Sequence, residues 1–382
     1  MSLAYDPPVL SADALANSLA VRDLTDPAQG PHAMQLLLDG IVQSLAGRWG
    51  CAIRAHRASP IVSVADNYDR LRYPPDGAAR DARYTRYVSR DTLLRTQTSA
   101  LIPPLLRRIA ERPDAIAVDT LLVCPGIVYR RDTIDRLHTS APHQVDLWRL
   151  TMAHLGRSEL LEMVGAVVDA AVPGTSWRTV PADHPYTLDG AQVDVETSHG
   201  WVEIGECGLA HPAVLGDAGL DPSTYSGLAM GLGLDRLLML AKSIDDIRLL
   251  RSTDPRVAAQ MIDLDPYRPV SNQPAIRRDL SLAVDASRTP EELGDRVRSA
   301  LGARADQVEA VEVVSETPGW VLPEAAAARL GLTAGQKNVL VRLTIRDLQR
   351  TLTHDEANEI RDLVYRTLHE GTVWTLARPT DR

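Results

Sequence analysis

Residues 128–150, VYRRDTIDRLHTSAPHQVDLWRL, have the composition of a phosphate-binding hairpin. The alternation around Val128 and Arg130 predicts a strand, followed by a polar loop over 131–141 and a returning apolar element over 145–150. A guanidinium group binds phosphate oxygens through two parallel hydrogen bonds, so arginines and histidines on a hairpin beside a cleft suit a polyphosphate. A solvated arginine-rich hairpin would show the same pattern, and the stretch alone leaves both interpretations open.

A second stretch, SGLAMGLGLDR at 226–236, threads three glycines through aliphatic residues and ends in an acid–arginine pair. It matches neither a dinucleotide-binding glycine motif nor a P-loop, which needs a Lys-Ser/Thr pair. Taken alone, Gly231 and Gly233 indicate a strand and a helix that approach closely.

Composition limits the classes of protein to which the chain can belong. Its 382 residues suggest two or three domains with a sizeable core. The net charge of −9 provides no global basic field, so nucleic-acid binding must rest on local arginine patches. No apolar run approaches the roughly 20 residues of a membrane helix, and the first residues lack a signal-peptide pattern. Cys51, Cys124 and Cys207 are odd in number and far apart, which predicts core thiols in a reducing cytoplasm.

Two features of the composition are unusual. The chain contains no phenylalanine, and Lys242 and Lys337 are its only lysines beside many arginines. A GC-rich genome explains the preference for arginine but does not by itself remove every phenylalanine.

The spacing of apolar residues predicts a mixed fold with strands in late runs, an antiparallel α+β class. Ser11 is the predicted N-cap of a short first helix, and the helix over 31–50 should end at Gly50. Further helices are predicted over 92–111 and 145–171. Strands are predicted in IAVDTLLVCPGIVYRRD, in AQVDVETSHGWVEIGECG and in the 226–236 stretch. The predicted divisions of the chain are an N-terminal helix and loop (1–30), a catalytic domain (31–251), a linker (252–273) and a C-terminal domain (274–382).

The C-terminal domain has its own order of elements. Strands and helices alternate as β-α-β-β-α-β, the ferredoxin-like plan, with TVWTLA at 372–377 as the closing strand. Thr353 and Glu356 form a predicted capping box at the start of the last helix.

Several motifs in fixed order resemble one known family. LLRTQTS (93–99), YRRDTID (129–135) with HQV (143–145), WVEIGECGLAHPAVL (201–215) and SGLAMGLGLDR are similar to the catalytic core of the α-chain of phenylalanyl-tRNA synthetase, a class II aminoacyl-tRNA synthetase. The C-terminal domain (274–382) resembles that family's ferredoxin-like anticodon-binding domain. The resemblance covers about residues 30 to 375, and the direct attachment of the tail resembles the single-chain organellar enzymes.

The resemblance implies a fold and a reaction. The fold is an antiparallel class II catalytic sheet flanked by helices, with a C-terminal ferredoxin-like βαββαβ domain. The reaction is attack of an amino-acid carboxylate on ATP, giving an aminoacyl-adenylate, and transfer of the acyl group to tRNA. Class II cores dimerise through their first long helix and strand, here 31–64, which makes a homodimer the expectation by analogy.

Carried over by motif, a set of residues should handle ATP and Mg²⁺. Arg130 should hold the α-phosphate and the substrate carboxylate, Arg236 the terminal phosphates, and His138 the triphosphate. Glu203 would ligate Mg²⁺, with Glu206 as a second candidate. Gly233 lies on the ATP side, and Pro142 stands where the family has a phenylalanine that stacks on adenine.

The amino-acid side departs from the family's pattern. Its expected residues are Gln97, Ser99, Gln144, Asp146, Leu228, Met230 and Gly231. Gln97 replaces a histidine and Asp146 a glutamate at positions that help to hold the α-amino group. Leu228 and Met230 replace two phenylalanines expected to form the wall against the substrate ring, at a loss of about 0.5–1.5 kcal/mol for each aromatic contact. These changes predict a substrate other than phenylalanine.

The absence of phenylalanine suggests a further hypothesis. An enzyme that places another amino acid on the phenylalanine tRNA would make phenylalanine codons ambiguous, and a gene free of those codons would escape the damage. Drift towards leucine and tyrosine in one lineage is the alternative.

Three functions remain open from the sequence. The leading one is amino-acid activation and loading of tRNA, for which Arg277, Arg278, Arg342, Arg346 and Arg350 could contact phosphates. These arginines could equally form a solvated face. The second is an adenylating ligase that passes the acyl group to a carrier protein or a small-molecule amine. The third is a non-catalytic tRNA-binding or regulatory paralogue.

Overall fold

The computed structural model describes residues 8–112, 119–270, 272–374 and 376. The helices are α1 (Ala12–Leu19), α2 (Ala33–Trp49), α3 (Val64–Asn67), α4 (Ile102–Glu111), α5 (Arg157–Ala171), α6 (Pro212–Asp217), α7 (Leu234–Lys242), α8 (Pro255–Ala258), α9 (Pro290–Leu301), α10 (Glu324–Leu330) and α11 (His354–Leu368). The strands are β1 (Ala52–Ala55), β2 (Ile61–Ser63), β3 (Arg86–Tyr87), β4 (Thr92–Leu94), β5 (Asp119–Ile127), β6 (His143–Thr151), β7 (Trp177–Pro181), β8 (Thr187–Thr197), β9 (Gly200–Ala210), β10 (Ser226–Gly233), β11 (Ile276–Asp285), β12 (Val308–Pro318) and β13 (Gln336–Ile345).

Several predicted helix ends are confirmed. The Ser11 hydroxyl accepts the backbone N–H of Ala14 at 3.2 Å and caps α1. Helix α2 ends at Gly50, whose φ of 62° is the left-handed conformation that glycine adopts without a Cβ clash. Thr353 and Glu356 form the capping box of α11.

Two predicted helices are too long. Residues 92–94 are strand β4, which pairs with β2 and β3, and α4 begins only at Ile102 with proline in its first turn. Residues 145–151 belong to β6, and α5 begins at Arg157, where the Glu159 carboxylate accepts the Gly156 N–H at 2.9 Å. Pairing of β6 with strands on both sides outweighs its helical spacing of apolar residues.

The large sheet has seven strands among the described residues, in the order β1-β5-β6-β10-β9-β8-β7. All neighbours are antiparallel except β1 and β5, so the sheet is mixed at one edge. One face packs on α2, α5 and α7. The other carries an apolar cluster shared with α4 and α6, including Trp148, Leu122 and Leu105. The prediction of a mostly antiparallel sheet flanked by helices is thus confirmed.

The C-terminal part contains a three-stranded antiparallel sheet in the order β11-β13-β12, among the residues described there. Its apolar core lies between this sheet and helices α9 and α11. The predicted closing strand is wrong where it can be checked, because Thr372–Trp374 and Leu376 are not in a strand. Thr375 and Ala377 of that prediction, and residues 116–118 of a predicted earlier strand, lie outside the described residues. The ferredoxin-like plan therefore stays a prediction.

The chain forms two compact units. The first comprises Met1–Arg130, Ala141–Ile244 and Ala258–Tyr267, and the second Arg131–Ser140, Asp245–Val257 and Arg268–Arg382. The predicted linker is thus divided between the two units, and the domain boundaries read from the sequence stay a prediction.

Two expectations from composition can be compared with the described residues. None of the helices described is long and apolar enough to cross a membrane. All three cysteines are free thiols; Cys124 and Cys207 are buried, whereas Cys51 is partly exposed.

Candidate active site

The centre of the large sheet brings two predicted site residues together. β6 places Asp146 opposite Gly231 of β10, and β9 places Glu206 opposite Gly231 on the other side. Directly opposed residues in antiparallel strands point to the same face of a sheet. Asp146, Gly231 and Glu206 therefore form one row on one face, which we call the site face. A Cβ on Gly231 would lie 3.7 Å from Asp146 Oδ2, so the glycine leaves the space between the two carboxylates open.

Asp146 is the buried polar centre of this face, with 2 % of its surface exposed. Its carboxylate accepts hydrogen bonds from Ser99 Oγ at 2.5 Å and Trp148 Nε1 at 2.8 Å, and a longer one from Thr98 Oγ1 at 3.4 Å. Burial raises the pKa of Asp146 to about 6, although these hydrogen bonds act to lower it. No arginine, lysine or histidine pairs with Asp146 among the described residues, so it is an anionic acceptor that a cationic ligand group would complete.

The other expected amino-acid contacts occupy several places. Ser99 binds Asp146 directly. Gln144 lies opposite Gly233 in the same ladder, two residues from Asp146, and therefore on the site face. Gln97 accepts the Tyr73 hydroxyl at 2.9 Å and donates to the Asn67 carbonyl at 3.0 Å, which fixes its amide.

The orientation of Leu228 and Met230 differs from the sequence prediction. They alternate with Ala229 and Gly231 along β10, so their side chains point to the opposite face from Asp146. Leu228 opposes Arg149, whose guanidinium lies 4.5 Å from the ring of Trp49 at the end of α2. Both side chains are buried on this helix-covered side. The prediction that they form the wall of the substrate pocket is therefore wrong.

Two arginines of the first unit carry charges with no carboxylate partner in the part of the chain described. Arg130 is exposed and follows the end of β5 at Ile127, so the strand predicted around Val128 and Arg130 stops before both residues. Arg236, in the first turn of α7, donates to the Glu203 carbonyl at 3.0 Å. Partial burial and the nearby Glu206 carboxylate raise the pKa of Glu203, whereas the charges of Arg236 and Arg130 lower it. Both guanidinium groups are thus close enough to Glu203 to act on its charge.

The loop that carries His138 is part of the second unit. His138 Nδ1 lies 2.7 Å from the Asp135 carboxylate, and its backbone N–H donates to the same side chain. The preceding residues are held by α9: Arg298 donates to the carbonyls of Asp132 and Thr133, and a Cβ on Gly294 would lie 2.9 Å from the Asp132 oxygen. These contacts between the loop and α9 were not expected from the sequence.

Pro142, on the returning side of the hairpin, belongs to the first unit. Its carbonyl accepts the Val128 N–H at 2.9 Å, so the backbone pairs across the base of the hairpin.

The five arginines expected to contact tRNA differ in their partners. Arg342, Arg346 and Arg350 form ion pairs with Asp279, Glu309 and Glu356 at 2.9, 2.9 and 2.7 Å. Arg278 is hydrogen-bonded to Asn358 at 2.9 Å. Arg277 is exposed and has no carboxylate partner among the residues described. The tail therefore does not present the five as one set of unpaired cations.

Four residues of the site face were missed in the sequence analysis. Tyr186 stacks on Trp148 with ring centroids 6.4 Å apart, and Tyr73 and His184 lie 6.2 and 6.0 Å from its ring. His184 Nε2 lies 2.7 Å from Glu206 Oε2, and this hydrogen bond raises the pKa of His184. The only sequence signal was the pair of rings around Pro185 in DHPYT, immediately before β8.

Comparison with known proteins decides the family. The model described as "tRNA synthetases class II core domain (F)" matches residues 29–261. The chain belongs to this family. The phenylalanine--tRNA ligase alpha subunit of Prochlorococcus marinus strain MIT 9313 is 35 % identical over 259 residues, which are 66 % of this chain and 74 % of that protein. The same subunit of Prochlorococcus marinus strain NATL2A is 37 % identical over 194 residues, 51 % of this chain and 56 % of that protein.

Similarity to a solved structure adds nothing to this assignment. PylSc of Desulfitobacterium hafniense, a pyrrolysyl tRNA synthetase, has a TM-score of 0.45 and 15 % identity, over 62 % of this chain and 76 % of that chain.

Among the described residues of this class II core, Glu203 is the carboxylate best suited to Mg²⁺. No group of three or more His, Cys, Asp or Glu side chains suited to a metal occurs in the described ranges. Glu206 is engaged by His184, which leaves the exposed carboxylate of Glu203 beside Arg236 and Arg130. Mg²⁺ commonly takes one or two carboxylates together with substrate phosphates and water, so Glu203 suits an ion that arrives with ATP.

Proposed function

We propose that this class II synthetase activates an amino acid with ATP and transfers it to tRNA. The observation that carries the proposal is the pairing of two unlike sites in one catalytic core. Arg130 and Arg236 are guanidinium groups without carboxylate partners among the described residues, as phosphate binding requires. Asp146 is a buried carboxylate without a cationic partner there, as recognition of an α-ammonium group requires.

The roles of the residues follow from their chemistry. Arg130 binds the α-phosphate and the attacking carboxylate. Arg236 binds the terminal phosphates and is held in position by its hydrogen bond to the Glu203 carbonyl. Glu203 contributes a carboxylate to Mg²⁺, which neutralises phosphate charge when bound. Asp146, with Ser99 and Gln144 beside it, orients the substrate ammonium. Fixed charges of this kind lower the barrier because they need no reorganisation during the reaction.

The substrate is proposed to be an amino acid other than phenylalanine. The replacement at Asp146 supports this, because Asp146 is the proposed partner of the substrate ammonium group. Gln97 supports it as well, because its amide accepts a hydrogen bond from Tyr73, whose ring lies near Tyr186. Complete absence of phenylalanine from the chain supports it independently. We propose that the acceptor is tRNA, with the phenylalanine tRNA as the first candidate, since the matched relatives are named phenylalanine--tRNA ligase alpha subunits.

ATP–pyrophosphate exchange across a broad amino-acid panel, with nonproteinogenic members included, tests the activation step. Total tRNA, ATP and the active amino acids are then combined, and the esterified residue and its tRNA are identified by mass spectrometry. We expect exchange with an amino acid other than phenylalanine and a stable tRNA ester of it.

Each other outcome has a definite meaning. Exclusive loading of phenylalanine contradicts the altered substrate. Exchange without a tRNA ester indicates transfer to a carrier protein or a small amine, and absence of exchange with every amino acid indicates a non-catalytic paralogue.

A further inference from the structure

Glu206 is the charged group of the site face that the proposed chemistry leaves unused. It lies on the same face as Asp146, two strands away, with Gly231 between them. Neighbouring strands are about 4.8 Å apart, so the two Cα atoms are separated by about 10 Å. A substrate whose ammonium group lies at Asp146 can therefore reach Glu206 only with its side chain.

Glu206 is held in place from one side. His184 Nε2 binds Glu206 Oε2 at 2.7 Å, and the His184 side chain is 11 % exposed against 42 % for Glu206. Its other carboxylate oxygen accepts no hydrogen bond from the residues described. We call Glu206 and His184 the rim pair. A carboxylate only accepts hydrogen bonds, so the second oxygen of Glu206 is available to a hydrogen-bond donor.

Aromatic rings lie beside the rim pair. The ring of Tyr186 is buried and lies 6.0 and 6.2 Å from the rings of His184 and Tyr73, measured between centroids. Flat side chains pack well against such faces. The site face therefore combines aromatic surface with one acceptor that is only partly satisfied.

On the basis of the proposed amino-acid activation, we infer that the rim pair selects an aromatic amino acid whose ring carries a hydrogen-bond donor, such as a hydroxyl or amino group. A bare phenyl ring over Glu206 would remove water from the carboxylate and return no hydrogen bond. That penalty falls on phenylalanine and is absent for a donor-bearing ring. Acidic side chains are excluded by charge repulsion.

Matched substrates test this directly. The full chain is assayed by pyrophosphate exchange with phenylalanine, tyrosine, 3-hydroxyphenylalanine and 4-aminophenylalanine. We expect kcat/KM for at least one donor-bearing ring to exceed that for phenylalanine by about 100-fold or more. In Glu206→Gly the ratio of kcat/KM for the donor-bearing ring to kcat/KM for phenylalanine should fall below about 10-fold. The fall should come mainly from a lower kcat/KM for the donor-bearing substrate, and KM for ATP should not change. Glu206→Gln keeps the size of the side chain and should give an intermediate ratio.

A matched control is Glu196→Gln. The Glu196 carboxylate is exposed on β8 and makes no hydrogen bond within the described residues, so this variant should leave the ratio of kcat/KM values unchanged.

A wild-type preference for phenylalanine, or an unchanged ratio in Glu206→Gly, overturns the assignment of the rim pair and leaves adenylation intact. Absence of exchange with every amino acid instead contradicts adenylation. In that case the rise in melting temperature on addition of each amino acid tests the rim pair separately. The donor-bearing rings should give a larger rise in wild type than in Glu206→Gly.

Discussion

Asp235 at the start of α7 accepts two hydrogen bonds from His143 at the start of β6, one from the backbone N–H and one from the imidazole Nδ1 at 3.0 Å. Leu24 N–H donates to the other ring nitrogen, Nε2, at 3.0 Å. A nitrogen that accepts carries no proton, so the ring is the neutral Nδ1–H tautomer. This buried connection fixes the helix that carries Arg236 against the strand that carries Asp146.

Asp235→Asn should lower the free energy of unfolding by about 2–4 kcal/mol, because the amide NH₂ would face one of two N–H donors and leave it unpaired. The midpoint of urea unfolding measures the change. Asp217→Asn, at an exposed position, is the control and should stay within about 0.5 kcal/mol of wild type. Equal midpoints for the two variants would contradict a structural role for the His143 contact.

Asp146 should make stability depend on pH. Its pKa in the fold is about 6, above the ordinary value of 3.8, so folding favours the protonated form. The contribution of this group therefore lowers stability as pH rises from about 4 through 6, by about 3 kcal/mol in total. Asp146→Asn should be more stable than wild type at pH 8, and the difference should shrink towards pH 4. Urea unfolding at several pH values tests the sign, and a difference that grows on acidification contradicts it.

The same substitution should abolish amino-acid activation, since a neutral amide cannot replace the charge offered to the substrate ammonium. A more stable but inactive variant is the expected combination, because functional sites carry groups that cost stability. Pyrophosphate exchange at pH 8 measures the loss. Retained activity in Asp146→Asn would remove Asp146 from the proposed site.

Arg130→Ala and Arg236→Ala should each reduce the rate of pyrophosphate exchange by about 10²–10³-fold, because each removes a fixed positive charge from the transferring phosphate. Arg130→Lys and Arg236→Lys should recover little of the exchange rate, since an ammonium group cannot form the bidentate contact with phosphate. Arg112→Ala, an exposed arginine after α4, should have no effect. Loss of activity through unfolding is detected by circular dichroism, and full activity in either variant contradicts its role.

Two glycines should respond differently to alanine. A Cβ on Gly231 would meet Asp146 Oδ2 at 3.7 Å, an ordinary contact, and would project into the space between Asp146 and Glu206. Gly231→Ala should therefore keep the melting temperature and raise KM for the amino acid by about tenfold or more, the effect of about 1.4 kcal/mol of lost binding. A Cβ on Gly208 would lie 2.6 Å from Thr187 Cβ, so Gly208→Ala should lose about 1–3 kcal/mol of stability. The opposite pattern would place the substrate elsewhere.

Arg277 and Arg342 provide a matched pair for tRNA binding on one face of the C-terminal sheet. They lie on β11 and β13 on the side away from the apolar core, but Arg342 is paired with Asp279 by two hydrogen bonds of 2.9 Å. If Arg277 contacts a phosphate, Arg277→Ala should weaken tRNA binding and reduce the slope of log K against log salt by about one. Arg342→Ala should change the slope less, because its charge is already neutralised. Equal slopes for both variants and wild type would show that this face does not bind tRNA.

Local signals were read correctly from the sequence. Ser11, Gly50 and the Thr353–Glu356 box end or begin helices as predicted, because caps depend on residues within one turn of each other. The order of the motifs also determined the family. Strand β6 was misread as the start of a helix, because its pairing partners on β5 and β10 are distant in sequence.

Which residues meet at the site was decided by tertiary structure alone. The sequence showed that Leu228 and Met230 alternate with Ala229 and Gly231, but only the pairing of β10 with β6 shows which set faces Asp146. Glu206 was predicted only as a second candidate for Mg²⁺, and its partner His184 lies on a separate segment that only sheet pairing brings near. Local sequence therefore determined several helix ends and the family. The face, the partners and the charges of the site depend on contacts between distant segments, which no spacing along the chain encodes.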